Sequence, residues 1–412
     1  MAVTKRKLAG DQLDQYVSNA NEVVNFKFVN SEKDVDDDSL AFKAEFTHQF
    51  FGESENIFGY VGLQVNMMYS ACRLSPFFSM TYRERVKASK TGGIAADDVY
   101  KIICDKQEVE PSKDLDEFVS SLSQESSFKP LGELLSSFSI VNGGQKETYG
   151  VYRADSTTPG FKEYHLRMQT LILWFIDGAS YIDEEDERWD YYVLHRHLEE
   201  DGKQFFPFVG YTTVYRYYAY PLNVRPRISQ MLILPSYQKR GLGSKVLEII
   251  VDWYVKDKDV LDVTVEDPSE EFTRIRDFTD CKRCQNLPSF SKIDLKKGFS
   301  QEMQDEAREK FKINKKQARR VYEILRLKNT DLDDDEEYRA YRLDVKNRLN
   351  IPFQREKLDL EKLQKNLSPE ELKAAANQIP REQRMEQLDH SYAELEDKYK
   401  HIIERLILEI VN

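Results

Sequence analysis

Cysteine is scarce in this chain, with 4 residues among 412. So few thiols exclude the dense disulfide framework of small secreted proteins and are typical of a reducing compartment. Cys281 and Cys284 form a lone C-x-x-C pair, without the second Cys or His pair that a structural zinc site needs. We therefore expect two reduced thiols beside a helix and no metal site.

Long apolar runs are also absent, since none reaches the roughly 18 residues of a membrane helix. We therefore expect no membrane span. The N-terminus carries a basic cluster, Lys5-Arg6-Lys7, but lacks the apolar segment of a secretory signal, so we expect no such signal. The cluster could assist nuclear import, although three basic residues in a polar tail are more often simply solvated.

Two common phosphate-binding motifs are missing. No G-x-x-x-x-G-K-[ST] loop occurs, which argues against a nucleoside triphosphatase, and no G-x-G-x-x-G occurs in a strand–helix–strand unit, which argues against a dinucleotide site. The net charge of −12 argues against direct nucleic-acid binding. It favours a cationic partner wherever acidic residues gather, as in the runs at 36–38, 183–187 and 331–337.

Hydrophobic patterning divides the chain into three regions, with strands and helices mixed to residue 140, hairpins followed by strand–helix–strand to residue 285, and polar helices thereafter. The pattern predicts strands over 57–70, 147–153, 189–197, 205–217, 227–234 and 260–265, with turns at 142–144 and 201–202. It predicts helices over 96–105, 112–122, 161–180, 243–256 and 311–327, and a final helix with a stripe of Leu388, Tyr392, Leu395, Tyr399, Ile403, Leu406 and Ile410. The fold class is therefore α/β (α+β) with a mixed sheet.

A glycine-containing loop lies between a predicted strand and an amphipathic helix, in the order Gln238-Lys239-Arg240-Gly241-Leu242-Gly243. Glycines allow a tight turn and a close approach of backbone to ligand. The N–H groups at a helix N-terminus then suit a pyrophosphate, and Lys239 and Arg240 add positive charge. The alternative is a plain left-handed turn at a helix start, which the flanking strand and helix disfavour.

Two carboxylates, Glu266 and Asp267, follow the next predicted strand, where ligands of open α/β sheets bind. A lysine ammonium, with a pKa of about 10.4, must lose its proton before it attacks a thioester. A carboxylate whose pKa is raised toward neutrality in a partly apolar site can accept that proton. Strand alternation points the two side chains to opposite faces, so we expect one to serve. Asp267, before Pro268, could instead cap a helix, and both roles can hold.

Aromatic residues are dense over 210–218, and Trp189 directly follows an acidic run. Most of these rings suit packing within a sheet, while some could form walls for an aliphatic lysine stem. An aromatic ring beside negative charge suits a basic peptide through charge attraction and cation–π contact.

These segments closely resemble the catalytic subunit family of type B histone acetyltransferases, within the GNAT superfamily. The resemblance covers nearly the whole chain and includes T-H-Q-F-F-G at 47–52, F-K-E-Y-H at 161–165, D-E-R-W at 186–189, S-Q-M-L-I-L at 229–234, E-D-P-S at 266–269 and R-R-V-Y-E-I-L-R-L at 319–327. It implies a GNAT acetyltransferase core over 141–285, an N-terminal mixed α/β domain over 1–140 and a C-terminal helical domain over 286–412.

The resemblance also implies an activity. Such enzymes transfer acetyl from acetyl-CoA, a co-substrate, to lysines in the N-terminal tail of newly synthesised histone H4, by direct attack in a ternary complex without a metal. The implied partners are histone H4 with its core-histone partner and a WD-repeat β-propeller histone chaperone. The implied location is both nucleus and cytoplasm.

Site residues carry over from the family position by position. The resemblance implies acetyl-CoA contacts from Met231, Leu232, Ile233, Gln238, Lys239, Arg240, Gly241, Leu242, Gly243, Ser244, Ser269 and Phe278. It implies Glu266 as general base, with Asp267 beside it and Asp177 where the family more often has an auxiliary Glu. It implies histone contacts from Glu53, Ser54, Glu55, Trp189, Tyr215, Arg216 and Tyr217, where Ser54 replaces a usual acidic residue.

Two alternatives stay open from the sequence. One is a GNAT enzyme that acetylates another amine, such as a protein N-terminus, and a panel of acetyl acceptors separates it from a histone enzyme. The other is a non-catalytic GNAT-fold histone chaperone or scaffold, which measured acetyl-CoA affinity separates from an enzyme.

Overall fold

The structure is a computed structural model that describes residues 13–90, 93–363 and 381–411. The basic cluster Lys5-Arg6-Lys7 lies outside the described residues. The β-strands are β1 (Val17–Asn19), β2 (Val24–Val29), β3 (Phe42–Lys43), β4 (Asn56–Phe58), β5 (Tyr60–Val61), β6 (Gln64–Ser70), β7 (Pro76–Thr81), β8 (Glu84–Arg85), β9 (Glu133–Asn142), β10 (Gln145–Asp155), β11 (Trp189–Glu200), β12 (Lys203–Phe205), β13 (Phe208–Ala219), β14 (Asn223–Ile233) and β15 (Thr264–Val265).

The α-helices are α1 (Ala20–Val23), α2 (Glu32–Val35), α3 (His48–Phe51), α4 (Val99–Cys104), α5 (Leu115–Leu122), α6 (Phe161–Phe175), α7 (Leu242–Val255), α8 (Glu270–Cys284), α9 (Lys292–Lys297), α10 (Gln301–Phe311), α11 (Lys315–Asn329), α12 (Asp335–Leu349), α13 (Ile351–Leu363) and α14 (Arg381–Val411). Short 3-10 helices lie at Asp14–Tyr16, Asp38–Leu40, Ala88–Lys90, Glu125–Ser127, Pro235–Tyr237 and Pro288–Phe290.

The chain forms two compact units. The first comprises Met1–Tyr218 and Pro226–Trp253, and the second comprises Ala219–Arg225 and Tyr254–Asn412. The division into domains at residues 140 and 285 stays a prediction. Within the described part of the chain, no helix combines the length and apolar character that crossing a membrane requires.

The first unit contains two main sheets. The N-terminal sheet has the order β3-β2-β6-β7, in which β2 and β6 are parallel. The larger sheet runs β14-β13-β11-β10-β9, with β12 paired to β11. The turns predicted at 142–144 and 201–202 are confirmed as the β9–β10 and β11–β12 hairpins. Gly143 and Gly144 occupy the left-handed region that this turn needs, with φ of 56° and 81°.

Helix α6 joins these sheets through one apolar core. Its Trp174 is fully buried, stacks on Phe50 at 3.7 Å between ring centres and meets Phe26 edge-on at 5.3 Å. Removing such a ring costs roughly 3–5 kcal/mol of stability. The helix predicted to reach residue 180 ends at Phe175, because Asp177 and Gly178 form a turn in which Gly178 has a φ of 64°.

Other predicted elements are interrupted. The strand predicted over 205–217 breaks between β12 and β13 because Pro207 lacks the N–H that a strand ladder needs. The strand predicted over 57–70 is three strands, β4, β5 and β6. The helix predicted over 311–327 is wrong at its start: α10 ends at Phe311, Lys312 has a φ of 55°, and Asn314 caps α11.

The second unit is mainly helical. The strand predicted over 260–265 is shorter than expected, because only Thr264–Val265 forms a strand, while Val260 and Val263 make isolated bridges to Val224 and Ile313. The apolar stripe predicted in the final helix is confirmed for its described side chains, with Leu388, Tyr392, Tyr399 and Leu406 buried and Leu395 and Ile403 half-buried.

Buried charge tightens this helical core. The fully buried Glu323 carboxylate accepts hydrogen bonds from Arg348 Nε at 2.6 Å, Arg319 Nε at 2.9 Å and Tyr399 Oη at 2.9 Å. Removing one partner of such a buried group typically costs about 3–5 kcal/mol, because the remaining charge stays uncompensated. The network therefore fixes α14, which carries Tyr399, against α11.

Candidate active site

The segment at residues 238–244, here called the cofactor loop after its predicted role, follows the 3-10 helix Pro235–Tyr237 and ends in the first turn of α7. Gln238 Nε2 donates to the Ile233 carbonyl at 2.9 Å and closes the turn. Lys239 and Gly241 both take left-handed backbone conformations, with φ of 61° and 79°. A Cβ added at Gly241 would meet no atom within 4 Å, so the backbone there faces open space at the N-terminus of α7.

The strand before the loop approaches its neighbour unusually closely. A Cβ added at Gly210 of β13 would lie 2.2 Å from the Leu232 carbonyl oxygen, so only glycine fits there. The Leu232 side chain is buried, whereas those of Met231 and Ile233 are half-buried. Alternation along β14 therefore leaves the two flanking side chains on the more open face.

Arg240 turns back toward the protein. Its guanidinium donates to the Ser236 carbonyl, lies 3.2 Å from Glu147 Oε2 and packs 5.1 Å from the centre of the Tyr237 ring. Burial favours a higher pKa for the Glu147 carboxyl, but the Tyr149 hydroxyl at 2.6 Å and the charges of Arg196 and Arg240 outweigh it and lower the pKa. The Arg240 charge is thus met by Glu147, and its role toward a pyrophosphate stays a prediction.

Glu266 and Asp267 are exposed in a bend between β15 and α8. Both follow Val265, the last residue of β15, so the alternation expected to separate their side chains does not apply. Asp267 has a φ of 31°. The expectation that Asp267 caps a helix is wrong: Ser269 is the N-cap of α8, and its hydroxyl accepts from Phe272 N at 3.1 Å.

Phe278, a predicted cofactor contact, is buried within the helical core of the second unit. The Arg405 guanidinium lies 3.8 Å from its ring centre. The structure therefore gives Phe278 a packing role, and its contact with cofactor stays a prediction, as does that of Ser269.

Asp177 lies in the turn that follows α6 and is 71% exposed. Its Oδ1 is 3.4 Å from His48 Nε2 of α3. The same turn is held from two sides, because Gln49 donates to the Ala179 carbonyl and Gln230 of β14 donates to the Ser180 carbonyl, each at 2.9 Å. Asp177 is therefore carried by a segment tied to the strand that leads into the cofactor loop.

The three residues of the predicted acidic patch, Glu53, Ser54 and Glu55, differ in exposure and in hydrogen bonding. Glu53 and Ser54 are exposed, while Glu55 accepts from Thr47 N at 3.1 Å and Asn21 Nδ2 at 2.7 Å. Burial favours a higher pKa for the Glu55 carboxyl, but these hydrogen bonds outweigh it and lower the pKa. Glu55 thus also holds the start of α3.

Three aromatic side chains, Trp189, Tyr215 and Tyr217, form an aromatic ladder across β11 and β13. Trp189 and Tyr215 are directly opposite, with ring centres 4.8 Å apart, and Tyr217 lies 4.6 Å beyond Tyr215. Arg227 caps the far end, 4.6 Å from the Tyr217 ring centre. The ladder offers flat, partly exposed surfaces beside the acidic loop at residues 183–188.

Asp186 joins the acidic loop to this ladder. It accepts from the Tyr215 hydroxyl at 2.8 Å and from Arg188 Nη2 at 2.6 Å, and the Arg188 bonds hold the pKa of Asp186 well below its usual value. Arg216 donates to the Glu187 carbonyl at 2.5 Å. Asp186 is not among the site residues predicted from the sequence, although the D-x-R spacing before Trp189 is a usable signal for a local turn.

Comparison with known proteins finds three family models that match the chain. A family model described as "Histone acetyl transferase HAT1 N-terminus" matches residues 16–177, "Acetyltransferase (GNAT) family" matches 152–275, and "Histone acetyltransferase type B catalytic subunit, C-terminal" matches 276–327. The type B catalytic subunit of Homo sapiens is 44% identical, with 97% of this chain and 95% of that protein covered. The chain belongs to the type B histone acetyltransferase catalytic subunit family.

A more distant subunit of this family, from Mycosarcoma maydis, is 31% identical over 82% of this chain and 81% of its own length. Membership confirms the predicted GNAT fold and makes the chain an acetyl-CoA-dependent acetyltransferase. The cofactor loop, Asp177 and the aromatic ladder lie in the first unit of this type B subunit, while Glu266, Asp267, Ser269 and Phe278 lie in the second. No group of three potential metal-ligating side chains occurs in the described ranges, and Cys281 and Cys284 are buried within α8.

Proposed function

We propose that this enzyme transfers acetyl from acetyl-CoA to lysine side chains in the N-terminal tail of newly synthesised histone H4. The observation that carries the proposal is the open left-handed turn at Gly241, immediately before α7, in a type B family member. Backbone N–H groups at a helix N-terminus favour anions, which suits the pyrophosphate of acetyl-CoA. Gln238, Lys239, Gly243 and Ser244 complete the proposed cradle.

The strand before the loop would hold the reactive end of acetyl-CoA. Backbone groups of Met231, Leu232 and Ile233 bind the acetyl arm, and an N–H donor aimed at the thioester oxygen stabilises the charge that develops there. The close approach at Gly210 packs β13 against β14 beside Leu232, so the backbone of this strand is held in place.

Glu266 acts as the general base. Its carboxylate takes a proton from the lysine ammonium, and the neutral nitrogen attacks the thioester carbonyl within a ternary complex. The new C–N bond forms as the C–S bond breaks, and coenzyme A leaves with its sulfur protonated from solvent or the amine. Asp267 and Asp177 are auxiliary carboxylates that can relay protons through water.

The first unit offers a surface suited to a basic tail. The acidic loop lies beside Trp189 and Tyr215, whose rings can flank an aliphatic lysine stem while carboxylates attract its charged neighbours. Glu53 and Ser54 are exposed, and with Glu55, Arg216 and Tyr217 they complete the proposed histone contacts. The enzyme would act in nucleus and cytoplasm, on histone H4 with its core-histone partner, alongside a WD-repeat β-propeller chaperone.

Mass spectrometry tests this proposal. The full chain is incubated with acetyl-CoA and an H4 tail peptide, an H3 tail peptide, a peptide with a free N-terminus but no lysine, and a small amine. We expect lysine acetylation that is fastest on the H4 peptide. Preferred acetylation of an N-terminus or the small amine would overturn the histone assignment, and acetyl-CoA binding without any transfer would favour a scaffold.

A further inference from the structure

The acidic loop contains one side chain that points inward. Glu184 belongs to a run of five acidic residues, for which a solvated position is the ordinary expectation, yet its side chain is only 11% exposed. Its Oε1 lies 2.7 Å from His165 Nδ1 and 3.0 Å from Gln169 Nε2. His165 and Gln169 are one turn apart on α6 and are each 1% exposed.

The same helix turn holds the loop a second time. Gln169 Oε1 accepts from the backbone N–H of Ile182 at 3.0 Å, so one amide side chain bonds both the start of the loop and Glu184. A carboxylate only accepts hydrogen bonds, so His165 Nδ1 must carry the hydrogen. Burial lowers the pKa of His165 and outweighs the opposing effect of the Glu184 carboxylate.

His165 also contacts the strand that follows the loop. Its ring centre is 4.5 Å from that of Tyr191, which lies two residues after Trp189 and so on the same face of β11. The loop and the strand bearing Trp189 are thus fixed to one point of the core. Two residues beyond Glu184, Asp186 accepts a hydrogen bond from the Tyr215 hydroxyl. The position at which Glu184 holds the loop therefore determines where the Asp186 carboxylate contacts the aromatic ladder.

We propose that Glu184, clamped by His165 and Gln169, is a positioning residue that sets the acidic loop and the aromatic ladder for a basic peptide, rather than one more charge that attracts it. This rests on the proposed function, because the ladder is taken as the peptide surface. Glu184 touches neither acetyl-CoA nor the reacting atoms in this assignment. Its loss raises the KM for peptide and spares kcat and acetyl-CoA affinity.

Steady-state kinetics of three variants test the proposal. Glu184→Ala removes the clamp, Glu184→Gln keeps a carbonyl acceptor but no charge, and Glu185→Ala removes a neighbouring exposed charge. We expect Glu184→Ala to raise the peptide KM about tenfold, the effect of losing hydrogen bonds to one charged group. Glu184→Gln should recover most of that loss, and Glu185→Ala should show only the smaller, salt-screened effect of a surface charge.

Hydrogen–deuterium exchange over residues 181–189 gives a readout without substrate. Faster exchange in Glu184→Ala, but not in Glu185→Ala, supports the clamp. Equal KM changes in Glu184→Ala and Glu185→Ala, or unchanged exchange in Glu184→Ala, overturn it. If wild-type enzyme ignores histone peptides, the proposed function fails, and the exchange result still decides whether Glu184 anchors the loop.

Discussion

The cofactor loop and the aromatic ladder lie in the same unit but obtain their shapes in different ways. The cofactor loop is shaped by local backbone, through left-handed Lys239 and Gly241 and the start of α7. The ladder is assembled by tertiary contacts, since Trp189, Tyr215 and Arg227 come from three strands and depend on Asp186 in a separate loop. Substitutions far from the cofactor loop should therefore leave its shape unchanged. Substitutions in the core can change the arrangement of the aromatic ladder.

The largest effect we expect from this difference is at Gly241. Gly241→Asp places a carboxylate where the helix N-terminus favours anions, and like charges a few ångströms apart repel strongly. We expect acetyl-CoA affinity to fall on the order of a hundredfold, about 3 kcal/mol. Isothermal titration calorimetry measures the change.

Gly202→Asp is the matched control for this variant. Gly202 also has a left-handed φ, 72°, with open space around it, at the tip of the β11–β12 hairpin. It should share the backbone strain and leave acetyl-CoA affinity unchanged. Equal affinity losses in both variants would mean that a general effect of the substitution, rather than its position in the cofactor loop, is responsible.

The second-largest effect is a loss of stability at low pH, which we expect from His195 in β11, the strand that carries Trp189. His195 of β11 is fully buried, and burial lowers its pKa from 6.5 to about 4. The folded state therefore disfavours the protonated ring, so stability is intact above about pH 6.5 and falls as pH drops toward 4. Between pH 7 and 5 we expect a loss of about 2 kcal/mol from this group.

Urea unfolding at both pH values measures that loss. His195→Gln keeps a donor for the Phe206 carbonyl, which His195 Nδ1 contacts at 2.9 Å, but does not titrate. The variant should lose about 2 kcal/mol less than wild type over the same interval. An identical pH dependence in wild type and variant would remove His195 as the source, leaving the half-buried His197 as the nearest candidate.

A smaller effect is expected at the ladder itself. Trp189→Ala removes the ring opposite Tyr215, and a partly desolvated cation–π contact is worth about 1–2 kcal/mol. We expect the KM for an H4 peptide to rise about tenfold with acetyl-CoA affinity unchanged. Trp189→Phe keeps an aromatic ring, so its KM for the peptide should lie between those of wild type and Trp189→Ala. A loss of acetyl-CoA affinity in Trp189→Ala would mean that the aromatic ladder and the cofactor loop are not independent.

Sequence predicted these regions unequally, for a physical reason. The turn at Gly241 follows from local chemistry, because glycine, a strand and a helix start suffice to define it. The inward turn of Glu184 and the pairing of Arg240 with Glu147 could not be predicted, because 19 residues separate Glu184 from His165 and 93 separate Arg240 from Glu147. A charged residue in an acidic run has the same local signal whether it is solvated or clamped.

The end of α6 teaches the same lesson. Apolar spacing continued to Ala179, but the chain leaves the helix at Ile176, and Gln49 and Gln230 bind the carbonyls that follow.

The start of α8 was also predicted imperfectly. An Asp before a proline suggested that Asp267 is a cap, yet Ser269 takes that position with Pro268 before it. Local propensity identified the helix start to within two residues and missed the residue that caps it.

In the proposed mechanism, Glu266 accepts the lysine proton. The most direct test is a pH–rate profile of wild type and Glu266→Gln with saturating acetyl-CoA. We predict that kcat falls about a hundred- to ten-thousand-fold at neutral pH, while melting temperature and acetyl-CoA affinity are retained. The deficit should shrink as pH approaches the lysine pKa of about 10.4, because the amine is then already neutral. A near wild-type rate of Glu266→Gln at neutral pH would show that another group is the base, and Asp177 would be the next residue to test.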